Sequence, residues 1–267
     1  MSWSEVYRGS LEDIDFPEVV YKYRDWEYPY HDRFIKEREV FMASPNSFED
    51  EKDCRNPIRY DLLTEKQTIQ FYEHISRREY PDRSRQQHRK EARIWANKRL
   101  FKDSEKLEEY RNYYNKEHDL RQGVLSLTAE PCLLEMWNKY SNYGKGFCIG
   151  YNSKIMFKFL GGGAKVNYYD ELPIILPKPF MNYYQKSHYQ IFCKERKWEF
   201  EREYRTISFW ENPASISERQ ITLPKEAFNK IILGKNIAEK HRIEITNAVK
   251  DNIGEIPIVD YESVCSV

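Results

Sequence analysis

Apolar and polar positions change period several times along the chain. VVYKYRDW after Pro17 alternates, with Val19, Tyr21 and Tyr23 on one side and Val20, Lys22 and Arg24 on the other, so it predicts a strand. YHDRFIKERE after Pro29 predicts a short helix. VFMAS at 40–44 predicts a second strand that Pro45-Asn46 ends. From 59 to 119 the spacing turns helical. Leu62, Leu63, Ile69, Phe71, Tyr72 and Ile75 mark one amphipathic helix; Ile94, Trp95, Leu100, Phe101, Leu107 and Tyr110 mark one or two more. Alternation returns at VLSLT (124–128), GFCIGY (146–151), KVNYYD (165–170), EREYRTISFW (201–210), AFNKIILG (227–234) and IPIVDY (256–261). Helices are expected at 132–143, 180–197 and 237–251. Short strands with helices set irregularly between them predict an α+β fold with a mixed or antiparallel central sheet. The expected organisation is one domain over 1–267, with a helical insertion at 59–119 that is a lid or an outlying packing layer.

Composition narrows the class. The 267 residues hold 43 Lys plus Arg and 43 Asp plus Glu, so no global basic field draws the protein to nucleic acid or membrane. Arg77 to Arg99 is rich in Arg and Lys, with acids interspersed. Five cysteines (Cys54, Cys132, Cys148, Cys193, Cys265) form no Cys-x-x-Cys, and reduced thiols in the cytoplasm are the expectation. The opening MSWSEVYRGSLEDIDF is too polar for a signal peptide, and no apolar run approaches a membrane span. The six histidines form no metal-binding spacing. Gly161-Gly162-Gly163 lacks the Lys-Ser/Thr of a phosphate loop and reads as a turn. No Gly-x-Ser-x-Gly elbow occurs.

The strongest chemical signal is KWEFEREYR (197–205). On a strand, Glu199, Glu201, Glu203 and Arg205 share one face, with successive Cβ atoms about 6–7 Å apart. Stacked carboxylates repel unless they grip something cationic or hydroxylic, and Arg205 can pair with one of them. The plainer reading is an edge strand with a solvated charged face. A second signal places Ser126 and Thr128 on one strand face, with Met136, Trp137 and Tyr140 at helical spacing behind them; its plainer reading is core packing. A third is the first strand, whose Lys or Arg can reach a phosphate or serve as an edge-strand gatekeeper.

In order along the chain stand Lys22-Tyr23, ASPNSFEDEKDC (43–54), Ser126-Leu127-Thr128, Met136-Trp137 with Tyr140, Lys145-Gly146-Phe147, Lys194 with Trp198, Glu201, Glu203 and Arg205, and Ile231-Ile232-Leu233-Gly234. This series resembles the bacterial family called domain of unknown function 2971, over roughly residues 19–235. Its most specific part is Trp-x-x-Glu-x-Glu-x-Arg. Glu49 stands where that family has Asn and Gly144 where it has His, which implies altered chemistry if that Asn or His takes part. The order of parts is also similar to that of ADP-ribosyltransferases. The resemblance implies an enzyme that consumes NAD as substrate for ADP-ribosyl or glycosyl transfer, such as a toxin or antiphage effector. Its catalytic residues would be Glu203, Glu201 and Arg205. Lys22, Tyr23, Ser44, Asp50, Ser126, Thr128, Trp137 and Tyr140 would bind the nucleotide, and a protein or nucleic acid would be the target. Two other functions stay open: a non-catalytic module binding a nucleotide or peptide, and a magnesium nuclease using Glu201, Glu203 and Asp50.

Overall fold

The computed structural model describes residue 12 and residues 16–265. In chain order its elements are β1 (Val19–Arg24), α1 (Arg33–Lys36), β2 (Glu39–Phe41), α2 (Glu65–Glu79), α3 (Arg85–Asn97), α4 (Ser104–Arg121), β3 (Gln122–Thr128), α5 (Leu134–Tyr140), β4 (Phe147–Asn152) and α6 (Ser153–Phe159). Then follow β5 (Ala164–Lys165), β6 (Asn167–Tyr169), α7 (Tyr183–Ile191), β7 (Cys193–Glu195), β8 (Glu203–Phe209), α8 (Ile216–Arg219), β9 (Gln220–Thr222), β10 (Phe228–Leu233), α9 (Glu239–Asn252), β11 (Ile258–Asp260) and α10 (Tyr261–Cys265). The fold is α+β, as its pattern of strands and helices predicts. The chain divides into two compact units. One takes Phe48–Asp119 and Tyr169–Glu195. The other takes residues 16–47, Leu120–Tyr168 and 196–265. The first thus contains the expected helical block and adds a later segment to it.

The second unit is built on a seven-stranded sheet in the order β11-β10-β4-β1-β3-β8-β5. β10 and β11 run parallel; the other pairings are antiparallel. Alternation divides the apolar side chains between the sheet's two faces. Val20, Leu125, Leu127, Phe147, Ile149, Tyr151, Tyr204, Ile231 and Leu233 enter the larger core, with Ile35 of α1, Met156 and Phe157 of α6, and Ile245, Ala248 and Val249 of α9. Tyr21, Tyr23, Cys148 and Ile232 pack on the other face with Trp137 of α5 and residues of α10. β1 pairs with β4 at six positions but with β3 only at Tyr21↔Thr128.

The turn into β4 depends on glycine twice. Gly144 has φ +76°, following Asn142 and Tyr143, which are also left-handed. At Gly146 a Cβ would lie 2.1 Å from the Arg24 carbonyl oxygen, so no side chain fits.

Cys132 and Cys265 form a disulfide, Cα–Cα 5.3 Å, whereas Cys54, Cys148 and Cys193 are buried free thiols. This corrects the expectation of five reduced thiols. The two cysteines are 133 residues apart in sequence, and α10 folds back to bring them together. The described residues contain no helix long and apolar enough to cross a membrane.

The other unit is mainly helical. Residues 59–119 hold α2, α3, most of α4 and short 3-10 turns, with no strand. α2 and α3 begin with capping boxes, Thr64/Gln67 and Ser84/Gln87. An aromatic cluster ties the helices to the 3-10 turn before α2. Tyr60 meets Phe71, Phe101 and Tyr110 at centroid distances of 5.6, 5.1 and 5.7 Å, and Tyr72 stacks on Phe101 at 5.3 Å. Lys194 and Asp53 form a buried ion pair at 3.3 Å, and Asn56 donates to the carbonyls of Pro173 and Tyr189. These bonds hold the later segment to the helical block.

Candidate functional site

The Glu/Arg segment is not one continuous strand. Arg196–Glu201 forms a 3-10 helix, Arg202 turns left-handed at φ +44°, and β8 starts at Glu203. This corrects the expected strand at 201–210 and its single row of carboxylates. Glu199 lies exposed and pairs with Arg196 at 3.1 Å. The turn at Arg202 resolves the repulsion that a strand would impose, because it takes Glu201 out of line with Glu203.

Glu203 and Arg205 do share a face of β8. Arg205 donates from Nε to Oε1 at 2.7 Å and from Nη2 to Oε2 at 2.8 Å, a parallel two-bond pair. Arg205 is 0% exposed and Glu203 4%. By register Arg205 opposes Ser126, Glu203 opposes Thr128, and Thr128 opposes Tyr21. The pair therefore lies on the smaller-core face of the sheet. The Glu203 backbone N–H donates to the Tyr168 hydroxyl at 2.9 Å.

Glu201, 5% exposed, accepts a long hydrogen bond from the Tyr140 hydroxyl at 3.4 Å. Tyr140 lies on the last turn of α5, and the Lys139 ammonium sits 5.2 Å from its ring centre. Lys22 donates to the Ser126 carbonyl at 2.5 Å, across the line where β1 and β3 stop pairing. Burial, followed by the Arg24 charge, holds its ammonium well below the usual lysine range. The carboxylates of Glu203 and Glu201 oppose that shift, which places Lys22 in their field.

Arg24, two positions along β1 from Lys22, is the first-strand Arg that the sequence offers as a phosphate contact, although the set implied by the resemblance does not include it. Its guanidinium lies 4.3 Å over the Phe34 ring and donates to the Tyr23 carbonyl. Its Nε is buried with no hydrogen-bond partner. Burial lowers its pKa to about 10, and the phenols of Tyr151 and Tyr140 act on it. Neither Lys22 nor Arg24 has a carboxylate within ion-pair distance among the described residues. Lys22 and Arg24 lie opposite Ile149 and Phe147 on the larger-core face, where Arg24 is a buried donor still lacking an acceptor and Lys22 reaches the Ser126 carbonyl at the place where β1 and β3 part.

The other candidates have structural partners. Tyr23 donates to the Glu130 carbonyl at 2.6 Å and accepts from the Leu133 N–H at 3.3 Å. Trp137 is 2% exposed, donates from Nε1 to the Pro131 carbonyl at 2.8 Å, and packs edge-on against Tyr23. Thr128 is buried and accepts from the Glu130 N–H. These three shape the 129–133 loop. The Ser44 carbonyl accepts the Ser47 hydroxyl. Asp50 belongs to the helical unit, where its carboxylate accepts the Lys52 N–H in a local turn. Among the described residues no three His, Cys, Asp or Glu side chains gather as a metal-holding set.

Comparison of the chain with protein-family models, with curated proteins and with solved structures gave no match.

Proposed function

We propose that the sheet unit binds NAD as substrate and transfers its ADP-ribosyl group, with Glu201 as the reacting carboxylate and Glu203–Arg205 as the support beneath it. The observation that carries this reading is the buried Glu201 carboxylate held by the Tyr140 hydroxyl, together with Lys22 and Arg24 of β1, two basic side chains without acid partners among the described residues. The cations suit the pyrophosphate; Arg24 Nε is a buried donor still lacking an acceptor. The C1′–N bond to nicotinamide breaks with its electron pair leaving on the nicotinamide nitrogen. Positive charge builds on the ribose, where a fixed carboxylate lowers the barrier. An acceptor's oxygen or nitrogen then bonds C1′, and its proton passes to Glu201. Glu203 takes this part only by giving up bonds to the buried Arg205, which holds both of its oxygens.

A second reading, a nucleotide-binding module without turnover, is favoured by the commitment of both Glu203 oxygens to Arg205. Magnesium nuclease chemistry has less support, since the same commitment removes one of its three proposed ligands. Cytoplasmic residence is part of the leading proposal and requires that Cys132–Cys265 persist among reductants. The test is nicotinamide release from NAD by the wild type and by Glu201→Gln, with melting shifts by NAD as the binding readout. Release by the wild type, reduced on the order of 10²-fold in the variant, supports catalysis. A melting shift without release supports the binding module. Neither shift nor release removes NAD from consideration.

A further inference from the structure

We infer that α3 of the helical unit docks a single-stranded nucleic acid along its phosphate backbone. The chain is neutral overall, yet Arg85, Arg89, Lys90, Arg93, Lys98 and Arg99 crowd this one helix and its exit. All six are exposed, and none has an acidic partner among the described residues. The one acid in the stretch, Glu91, faces inward, where it pairs with Arg83 and accepts the Ser76 hydroxyl.

Neighbouring helices treat charge differently. On α2, Arg77 pairs with Glu73 and Arg78 with Glu79; on α4, Arg111 pairs with Glu108. Single cations elsewhere in the unit, Lys66 on α2 and Lys116 on α4, also lack acid partners among the described residues, but α3 alone gathers them into a run.

Helix stability does not explain them. Arg85, Arg89 and Arg93 recur every fourth residue, about 6 Å apart along the axis and drifting slowly across the solvent face. Like charges at that spacing repel and destabilise a helix. Arg85 also stands at the positive end of the helix dipole, in a first turn that has no acid. The Ser84/Gln87 capping box and the packing of His88 and Ala92 offset these costs. A regularly spaced polyanion would turn the repulsion into attraction, with counterion release as the driving term.

Trp95, beside Lys98 at the exit of α3, favours a single strand. Trp95 is 40% exposed; Tyr72 stacks behind it at 6.2 Å, and the Lys98 ammonium lies 3.6 Å from its ring centre. A half-exposed ring that holds a lysine ammonium can exchange that cation for a base. Ile94 and Trp95 are the only large apolar side chains that α3 exposes, too small a face for insertion into a membrane interface.

The test uses the full chain and fluorescein-labelled DNA and RNA single strands of roughly 20 nucleotides, followed by anisotropy across a salt series. Binding is expected, weakening with salt by a log–log slope of about −0.7 per phosphate contact. R85Q/R89Q/R93Q should retain its helix content by circular dichroism, lower the slope by about 2 and cost ~10-fold or more in affinity. R77Q/R78Q on α2 should bind as the wild type does. Three outcomes overturn the inference: no binding at low salt, an unchanged slope in the triple variant, or equal capture by polyglutamate or by phosphatidylserine vesicles. The last would identify an acidic protein or a membrane as the partner.

Discussion

Arg205 reaches back along its own strand to Glu203 and holds both of its carboxylate oxygens, at 2.7 and 2.8 Å, with its guanidinium wholly out of water. Each residue makes the other's burial tolerable. Removing one partner takes from the second, still buried charge a two-bond ion pair, a costly form of polar burial. Glu203→Gln and Arg205→Met should each lower unfolding free energy by about 3–5 kcal/mol, read by urea denaturation. The double variant Glu203→Leu/Arg205→Met should be milder than the sum of the two. Additive losses would show that the residues do not act as a pair.

Glu201→Gln should behave differently. Its bond from Tyr140 is long at 3.4 Å, and a glutamine oxygen can accept it. The variant should keep the wild-type melting temperature within a few degrees while its nicotinamide release falls. A melting loss as large as that of Glu203→Gln would move Glu201 from chemistry to scaffold.

Burial, followed by the Arg24 charge, lowers the His31 pKa to about 3. The unfolded chain binds this proton near pH 6.5, the folded chain not until about 3, so the unfolded state takes up more protons between them. Stability is therefore full above pH 6.5 and falls as pH drops through this window. Burial similarly lowers His118 to about 4. His31→Asn should flatten the decline between pH 6.5 and 4 in thermal melts. An unchanged slope would assign the acid sensitivity to His118 or other groups.

The Cys132–Cys265 bridge closes a loop of more than a hundred residues and fastens α10 beside Trp137, which Tyr261 of α10 meets at 5.4 Å. Cys265→Ser should destabilise the sheet unit by about 2–4 kcal/mol, with alkylation and mass spectrometry verifying the bridge in the wild type. If the wild type alkylates at all five cysteines without reductant, the bridge does not form in solution.

The fold class and the positions of most elements are legible in the amino-acid sequence. Tyr21, Tyr23 and Val20 separate into two cores as their alternation requires, and 59–119 is helical as its longer period requires. These are local properties: a side-chain period of two or of 3.6 is written in neighbouring residues. The sequence also brought Lys22, Tyr140, Glu201, Glu203 and Arg205 under suspicion. Only the tertiary structure decided their roles. The left-handed turn at Arg202 ends the apparent strand, the pairing of β8 with β3 buries Glu203 and Arg205, and the parting of β1 from β3 opens the place that Lys22 spans. The sequence offers Arg24 only as a first-strand Arg able to reach a phosphate; that its Nε is buried without a partner is set by the packing around it. The disulfide was missed for the same reason, since no spacing announces a contact across 133 residues. Periodicity is local, whereas burial, pairing and the loss of water around a charge are set by residues that meet only when the chain folds.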